Sequence, residues 1–235
     1  SLLGATTDSM NVESVSFSPS GRRVLAGSNG VAVFEVERGE RIAHWTDLHN
    51  PAIFLDETTI AASTGSAIVI RSLDGAPDRR LGTVDMTIRG AARSPDGAFL
   101  ATAAEGLVSL WQLENGRRRD LGTECGGRPA FDPAGEILAT TRWGEVHLFD
   151  VGTGAAIGVL PYDGKSLCGA RFTPDGTRLV LATMERRLFV WETETWELVL
   201  QQAIEAGPRA SAFMSDGRLL LGEWHEVRML GAPRR

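Results

Sequence analysis

Short apolar segments separated by polar turns make up almost the whole chain. Segments such as VHLFD at 146–150 alternate apolar and polar residues, which is typical of β-strands whose two faces lie in different surroundings. The connecting stretches are rich in glycine, proline and aspartate, the residues that favour tight turns. The pattern therefore predicts an all-β protein built from many short strands.

One turn-and-strand template recurs six times, and FTPDGTRLVLA at 172–182 shows it most clearly. An aromatic residue is followed by a Pro-Asp-Gly-like turn and then by an apolar run. Proline fixes φ and glycine accepts a positive φ, so each copy predicts a tight turn between two strands. The copies begin at Phe17, Phe54, Arg93, Phe131, Phe172 and Phe213. They follow one another at intervals of about 40 residues, which indicates a repeat architecture.

A second element follows each template, an alternating strand with a large apolar anchor. The anchors are Phe34, Ile70, Trp111, Phe149, Trp191 and Leu230. Together with the strand that follows the anchor, each unit is predicted to form four short antiparallel strands. One such sheet cannot bury its own faces, whereas sheets stacked around an axis cover one another. We therefore predict a single domain, residues 1–235, that forms a β-propeller of six four-stranded antiparallel blades.

The two linked signatures resemble the repeats of the WD-repeat β-propeller family. The resemblance rests on the FxPDG turn, the apolar second strand, and a third strand that ends in a WDxxTG-like box, here FDVGTG at 149–154. It covers nearly the whole chain, although the repeats are degenerate. The resemblance implies a propeller that serves as a protein–protein interaction scaffold.

The sixth repeat stops one strand short of the others. The segment SLLGATTD at 1–8 resembles fourth-strand segments such as DRRLGTVD at 78–85. Residues 2–7 are therefore predicted to close the last blade, as the N-terminal strand commonly does in this family. The alternative is that these residues belong to a preceding blade of a larger propeller.

The chain departs from the family's hydrogen-bond network of His, Ser or Thr, Asp and Trp, because it contains no Gly-His dipeptide. The position of the family's Asp is occupied by Ser28, Thr64, Glu105, Trp143, Glu185 and Trp224. The network is expected to be absent or reduced to fragments, and Trp111 and Trp191 are predicted to pack between blades. Arg93 stands where the other copies have Phe, so either blade three shifts register or Arg93 finds a carboxylate.

Composition and motifs argue against several kinds of chemistry. The net charge of −6 without a densely basic stretch disfavours nucleic acid as a partner, and no apolar run is long enough to span a membrane. The glycine-rich GTGAAIG at 152–158 follows a strand, but a dinucleotide fingerprint needs a helix after the glycines, and β-rich sequence follows here. The sequence offers no metal-ligand spacing, nucleophile motif or carboxylate pair outside turns. We expect a non-enzymatic protein without catalytic, cofactor-binding or metal-binding residues.

The cellular setting is inferred from a few residue counts. Two cysteines, Cys125 and Cys168, are too few for a disulfide scaffold, which favours a reducing, cytoplasmic setting. Lys165 is the single lysine beside many arginines, a bias typical of a GC-rich and therefore bacterial genome. The first residue is Ser1, so we expect the chain to be one domain of a larger signalling or regulatory protein.

Function is predicted to lie on the loops of one propeller face, because loops on a rigid scaffold usually provide recognition. In the family this face consists of the interblade loops and the turns between second and third strands. In blades four to six it holds residue types that are enriched at protein interfaces, namely Arg142, Trp143, Tyr162, Met184, Arg186, Arg187, Trp224 and His225. We predict that these residues bind a protein or peptide partner.

Two alternatives stay open on the sequence alone. The first is that Trp143 and Trp224 fold inward and fill the space left by the missing His–Asp pair. The second is a propeller enzyme or small-ligand sensor that uses the central channel, because a fold does not by itself determine function. Converging His, Asp or Glu side chains along the channel, or a bound metal, would favour the enzyme.

Overall fold

The computed structural model describes most of the chain, and the described residues are 12, 14–65, 67–84, 86–122, 127–166, 169–205, 207–208, 210–214, 216–222 and 226–230. These residues form 23 β-strands in six antiparallel sheets. None of the described segments is a helix of the length and apolarity that a membrane crossing requires. The predicted closing strand, residues 2–7, lies outside the described residues, so closure of the last blade stays a prediction.

The strands follow one another in chain order within each sheet. Those of blades one to three are β1 (Ser14–Phe17), β2 (Arg23–Gly27), β3 (Val31–Glu35), β4 (Arg41–Trp45), β5 (His49–Phe54), β6 (Thr59–Ser63), β7 (Ala67–Ser72), β8 (Arg79–Thr83), β9 (Ile88–Arg93), β10 (Phe99–Ala104), β11 (Leu107–Gln112) and β12 (Arg118–Gly122). Those of blades four to six are β13 (Ala130–Phe131), β14 (Ile137–Arg142), β15 (Glu145–Asp150), β16 (Ala156–Pro161), β17 (Arg171–Phe172), β18 (Arg178–Ala182), β19 (Arg187–Glu192), β20 (Leu198–Ala203), β21 (Ala210–Phe213), β22 (Leu219–Gly222) and β23 (Val227–Leu230). The predicted all-β propeller of six antiparallel blades is confirmed, with four strands in each of the first five blades and three described strands in the sixth.

The Pro-Asp-Gly turns owe their shape to local hydrogen bonds. In blade five the carboxylate of Asp175 accepts hydrogen bonds from the Thr173 hydroxyl, at 2.6 Å, and from the Thr177 amide, at 3.0 Å. These bonds, the Thr173 bond above all, hold the pKa of Asp175 below its ordinary value. Gly176 follows with a φ of 73°, in the left-handed region that glycine tolerates best. Asp175 is therefore a turn former, as predicted.

Trp111 fills the space between blades two and three. Its side chain is 2% exposed and packs in one cluster with Ile68 and Leu81 of the preceding blade. Gly82 makes room for the ring, because a Cβ atom there would collide with the indole. The indole N–H donates a 2.8 Å hydrogen bond to the hydroxyl of Thr102. The prediction of interblade packing is confirmed, and blade three retains a Thr–Trp fragment of the family's network.

Trp191 has the corresponding place between blades four and five. It is also 2% exposed, and it belongs to a cluster with Val146 and Leu148 of blade four. Its ring stacks on Phe189, with the ring centroids 5.9 Å apart and the planes inclined by 14°. The same kind of contact therefore joins blades two and three and blades four and five.

Blade four retains only half of the Thr–Trp pair. Thr140 lies nine residues before the anchor Phe149, as Thr102 lies nine residues before Trp111. The strand registers agree as well. In both blades, the residue two positions before the threonine is paired across the strands with the anchor residue of that blade. The phenyl ring of Phe149 has no N–H to donate, and the buried hydroxyl of Thr140 has no hydrogen-bond partner.

We expect Phe149→Trp to raise the free energy of unfolding by about 1 kcal/mol, because the indole N–H would satisfy Thr140 and a hydrogen bond contributes roughly that much net. There is room for the larger indole ring. Gly122 of blade three corresponds to Gly82 of blade two, and a Cβ atom at Gly122 would still lie 3.7 Å from Phe149. Urea denaturation measures the change. In a Thr140→Val background the gain should disappear. Equal destabilisation in both backgrounds would contradict the expectation.

Arg93 keeps the place of the phenylalanines that begin the other copies. It stands opposite Leu100, as Phe131 stands opposite Leu138, so the alternative of a register shift is wrong. The guanidinium lies over Gly97 of its own turn, and its buried Nε has no hydrogen-bond partner. The pKa of Asp96 is lowered mainly by the hydroxyl of Ser94 and to a smaller extent by the charge of Arg93. Asp96 is therefore the carboxylate within electrostatic reach of Arg93.

An arginine links the connection between blades one and two to the last turn of blade two. Arg71 binds Asp47 with two hydrogen bonds, of 2.9 and 2.8 Å, and its Nε bonds Asp78 at 2.9 Å. The guanidinium also lies 5.6 Å from the ring centroid of Trp45. The Arg71 hydrogen bonds lower the pKa of both aspartates, and the two carboxylates raise the pKa of Arg71.

We expect Arg71→Gln to lower the free energy of unfolding by about 1 kcal/mol at neutral pH, since both aspartates are partly exposed and such pairs contribute little. Because the folded-state pKa values of Asp47 and Asp78 are lowered, these two carboxylates stabilise the folded state fully above the ordinary carboxyl pKa. This stabilisation is lost as the pH falls through the lowered values. Urea denaturation at about pH 7 and about pH 2 should therefore show a difference from wild type that shrinks in acid.

Arg80→Gln is the matched control, because Arg80 is exposed on the next strand and forms no ion pair within the described ranges. It should change stability little at either pH. A difference between Arg71→Gln and wild type that is equal at both pH values would contradict the assignment.

Candidate protein-binding surface

The turn between β14 and β15 presents Trp143 to solvent. Arg142 and Glu145 are the last paired residues, which leaves Trp143 and Gly144 as a two-residue turn. Gly144 has a φ of 79°, in the left-handed region that glycine tolerates best. Trp143 is 77% exposed. The alternative that it folds inward to replace the missing network is therefore wrong for this residue.

Lys165 connects the Trp143 turn to the neighbouring blade. Its ammonium nitrogen lies 4.7 Å from the centroid of the Trp143 ring, a cation–π contact. Its amide donates to the Glu185 carboxylate and its carbonyl accepts from the Met184 amide, both at 2.8 Å. The hydrogen bond from the Lys165 amide is the main cause of the lowered pKa of Glu185. The interblade loop thus fixes Trp143 and the blade-five turn in one surface.

The blade-five turn contributes a second apolar side chain and two arginines. Met184 is 40% exposed. Arg186 is exposed and has a φ of 62°, which is unusual for a residue with a side chain. Arg187 binds Asp163 at 2.7 Å and remains partly exposed. We call this exposed set the Trp143 surface, and its members are Arg142, Trp143, Lys165, Met184, Arg186 and Arg187.

Tyr162 lies beneath the Trp143 surface and does not extend it. Its side chain is 8% exposed and its ring lies 5.9 Å from that of Phe189. The hydroxyl donates a 2.6 Å hydrogen bond to the Arg142 carbonyl, and the amide donates to the Gly144 carbonyl at 2.8 Å. Tyr162 is therefore buried in the free protein and supports the Trp143 turn, while its predicted contact with a partner stays a prediction. Trp224 and His225 lie outside the described residues, so their predicted roles stay predictions.

The sequence pattern does not single out Lys165, Asp163 or Glu185 as members of this surface or its supports. Their positions in an interblade loop and in a turn between second and third strands point to the correct propeller face. Their contacts with Trp143, Arg187 and each other follow from side-chain geometry, which strand patterns do not contain.

The central channel opens on the same face as the Trp143 surface. A cavity of about 340 Å³ lies among the amino-terminal ends of the innermost strands of blades one to five. Its described lining includes Asn50, Arg89, Arg128 and Arg171, with no histidine, aspartate or glutamate. Within the described part of the chain, no three His, Cys, Asp or Glu side chains are grouped so that they would hold a metal ion.

The blades and their loop face define a six-bladed β-propeller. The family model for the WD domain, G-beta repeat, matches residues 2–33. The chain is 28% identical over 149 residues to the WD repeat-containing protein SL1-17 of Schistosoma mansoni, an alignment that covers 60% of this chain and 47% of that protein. It is 26% identical over 240 aligned positions to an uncharacterized WD repeat-containing protein of Deinococcus radiodurans, with 92% of this chain and 84% of that protein covered.

These matches confirm the resemblance to WD-repeat β-propellers, and the low identities agree with the degenerate repeats. The chain spans about half the length of the Schistosoma protein.

Proposed function

We propose that this chain is a non-enzymatic interaction module that binds a protein or peptide partner through the Trp143 surface. WD-repeat propellers generally bind protein partners and are generally non-catalytic, which supports the class of function. The observation on which the proposal rests most is Trp143 itself, a large side chain that is 77% exposed on the loop face. Tryptophan and arginine are the residue types most enriched at interface hot spots.

The surroundings of Trp143 indicate the chemistry of the partner. Four cationic side chains belong to the surface, and Arg187 is paired with Asp163 while Lys165 covers part of the indole ring. Glu185 accepts a hydrogen bond from the Lys165 amide, so it is engaged within the protein. A partner segment with an apolar residue for Trp143 and Met184, flanked by carboxylates for the arginines, would satisfy this arrangement.

We further propose that residues 1–235 form one propeller domain of a larger bacterial signalling or regulatory protein in the cytoplasm. The arginine-rich composition and the similarity to a Deinococcus radiodurans protein support a bacterial setting. Trp224 and His225 are proposed to extend the surface onto blade six.

Affinity capture from a lysate of the native host tests the proposal. Immobilised wild type and Trp143→Ala are compared by quantitative mass spectrometry, and we expect a protein that wild type retains and the variant loses. Val159→Ala is the matched control, because Val159 is 49% exposed on the outer strand of the same blade and does not belong to the Trp143 surface. Equal retention by all three chains would contradict the proposal and leave the central channel as the alternative site.

A further inference from the structure

An apolar groove of about 1120 Å³ runs between the sheets of blades five and six. Strands β19 and β20 form one wall, and β21, β22 and β23 contribute to the other. The apolar side chains that matter most for its shape are Leu188, Val190, Ile204, Phe213, Leu219 and Leu230. The groove lies at the place where, at other interfaces, the anchor residue of one blade packs against the preceding blade.

The blade-six wall repeats the arrangement that carries Trp191 in blade five, with leucine in place of the tryptophan. In blade five Trp191 is paired across the strands with Leu179. In blade six Leu230 is paired in the same way with Leu219. In both blades the paired leucine also stands opposite the phenylalanine that begins the repeat, which in blade six is Phe213.

The blade-five wall likewise repeats the surface on which Trp191 packs. In blade four, Val146 and Leu148 belong to one cluster with Trp191. By strand register their counterparts in blade five are Leu188 and Val190, which pack towards blade six. Both sides of the groove therefore correspond to a site that holds an indole ring at the preceding interface.

The shorter side chain of Leu230 explains why the groove is open. Trp111 and Trp191 fill the corresponding spaces at two other interfaces, and each is only 2% exposed. Leu230 remains partly exposed and lines the groove together with Phe213. The groove thus has the width and the apolar walls that suit an aromatic ring.

One side-chain amide gives the groove a polar feature. Gln202 is paired with Leu188, as Leu160 is paired with Val146, so it takes the place of an apolar residue of blade four. Its side chain is exposed in the groove and forms no hydrogen bond within the described ranges. An N–H or O–H group of a ligand could therefore donate to the Gln202 carbonyl oxygen.

The charged side chains at the turn end of the groove are engaged within the protein. Arg178 bonds Glu192 at 2.9 Å, and Asp216 bonds Arg218 at 2.7 Å. These pairs balance their own charges, so the groove favours a neutral ligand.

We propose that this groove binds a free, neutral, planar aromatic molecule of the size of indole. The ring would take the place that tryptophan has at the other interfaces, since aromatic rings bring a large apolar area to a packed site. Apolar cavities in proteins bind aromatic molecules of matching size. The volume is close to the upper end of the range for small-ligand sites, which leaves room for a substituent on the ring.

Calorimetric titration of the whole chain with three probes tests the proposal. The probes are indole, indene, which has a similar shape and no N–H, and the blocked tripeptide Gly-Trp-Gly. We expect saturable binding of indole, with indene weaker by about fivefold, the usual effect of one neutral hydrogen bond. In Gln202→Leu the two bicyclic probes should bind equally. Tighter binding of the tripeptide than of indole would overturn the assignment to a free molecule.

Variants at the anchor connect the binding to the groove. Leu230→Trp supplies the indole from the chain itself and should abolish saturable binding of the probe. Leu198→Trp is the matched control, because Leu198 is 45% exposed on β20 and is not part of the described lining. It adds the same ring elsewhere on blade five and should leave the affinity unchanged. Circular dichroism verifies folding, and Leu230→Phe, which should weaken binding, replaces Leu230→Trp if the latter does not fold.

Two further results would overturn the proposal. One is the absence of saturable indole binding by wild type. The other is wild-type affinity in the folded anchor variant, which would place the ligand outside the groove. Neither result depends on a protein partner or on the Trp143 surface, so failure here is distinguishable from failure of the proposed function.

Discussion

Trp111→Ala should lower the free energy of unfolding by about 3–5 kcal/mol, the usual range for truncation of a buried aromatic side chain. Trp111 is 2% exposed and fills the space between two blades, so the variant would leave a cavity at that interface. The hydroxyl of Thr102 would also lose the donor that it has 2.8 Å away. For a chain of this size the loss corresponds to a fall in melting temperature of roughly 10 °C.

Trp111→Phe separates packing from hydrogen bonding. Phenylalanine fills most of the space but has no N–H for Thr102, so we expect a smaller loss of about 1–2 kcal/mol. Urea denaturation and calorimetric melting measure both variants. A change below about 1 kcal/mol for Trp111→Ala would contradict the interblade role, because exposed sites give changes of that size.

Trp143→Ala should weaken partner binding by about 2 kcal/mol or more, which is a loss of roughly 30-fold in affinity. The Trp143 ring is 77% exposed in the free protein, so its burial against a partner would remove a large apolar area from water. The melting temperature should hardly change, because the side chain contributes little to the folded core. Surface plasmon resonance with the captured partner measures the affinity.

Val159→Ala should leave both the affinity and the melting temperature close to wild type, since Val159 lies on an outer strand. The informative comparison for Trp143→Ala is between its affinity for the partner and its melting temperature. A large fall in melting temperature with unchanged affinity would mean that the indole supports the fold and not the interface.

The repeat made the fold predictable from the sequence. Each tight turn is specified by residues adjacent in the chain, as Thr173, Asp175 and Gly176 show through their mutual hydrogen bonds. The periodic recurrence of these turns then determines the number of blades. Trp111 was predictable for the same reason, because its place in the third strand determines which face it presents to the next blade.

The candidate surface was less predictable, because it depends on contacts between blades. Register places Trp143 in a turn, but its outward orientation follows from the short hairpin and from Lys165 above its ring. Tyr162 is buried because its ring packs in a cluster with Phe189, and its hydroxyl bonds the carbonyl of Arg142, 20 residues earlier. The grouping of Arg89, Arg128 and Arg171 needs three separate blades to meet at one axis.

Hydrogen–deuterium exchange of the chain, with and without its captured partner, tests the central claim most directly. The proposed function predicts that the partner slows exchange at residues 142–144, 163–165 and 184–187, the segments that form the Trp143 surface. Exchange in the loops of blades one to three should stay unchanged. Protection confined to those loops, or to the Pro-Asp-Gly turns of the opposite face, would contradict the account.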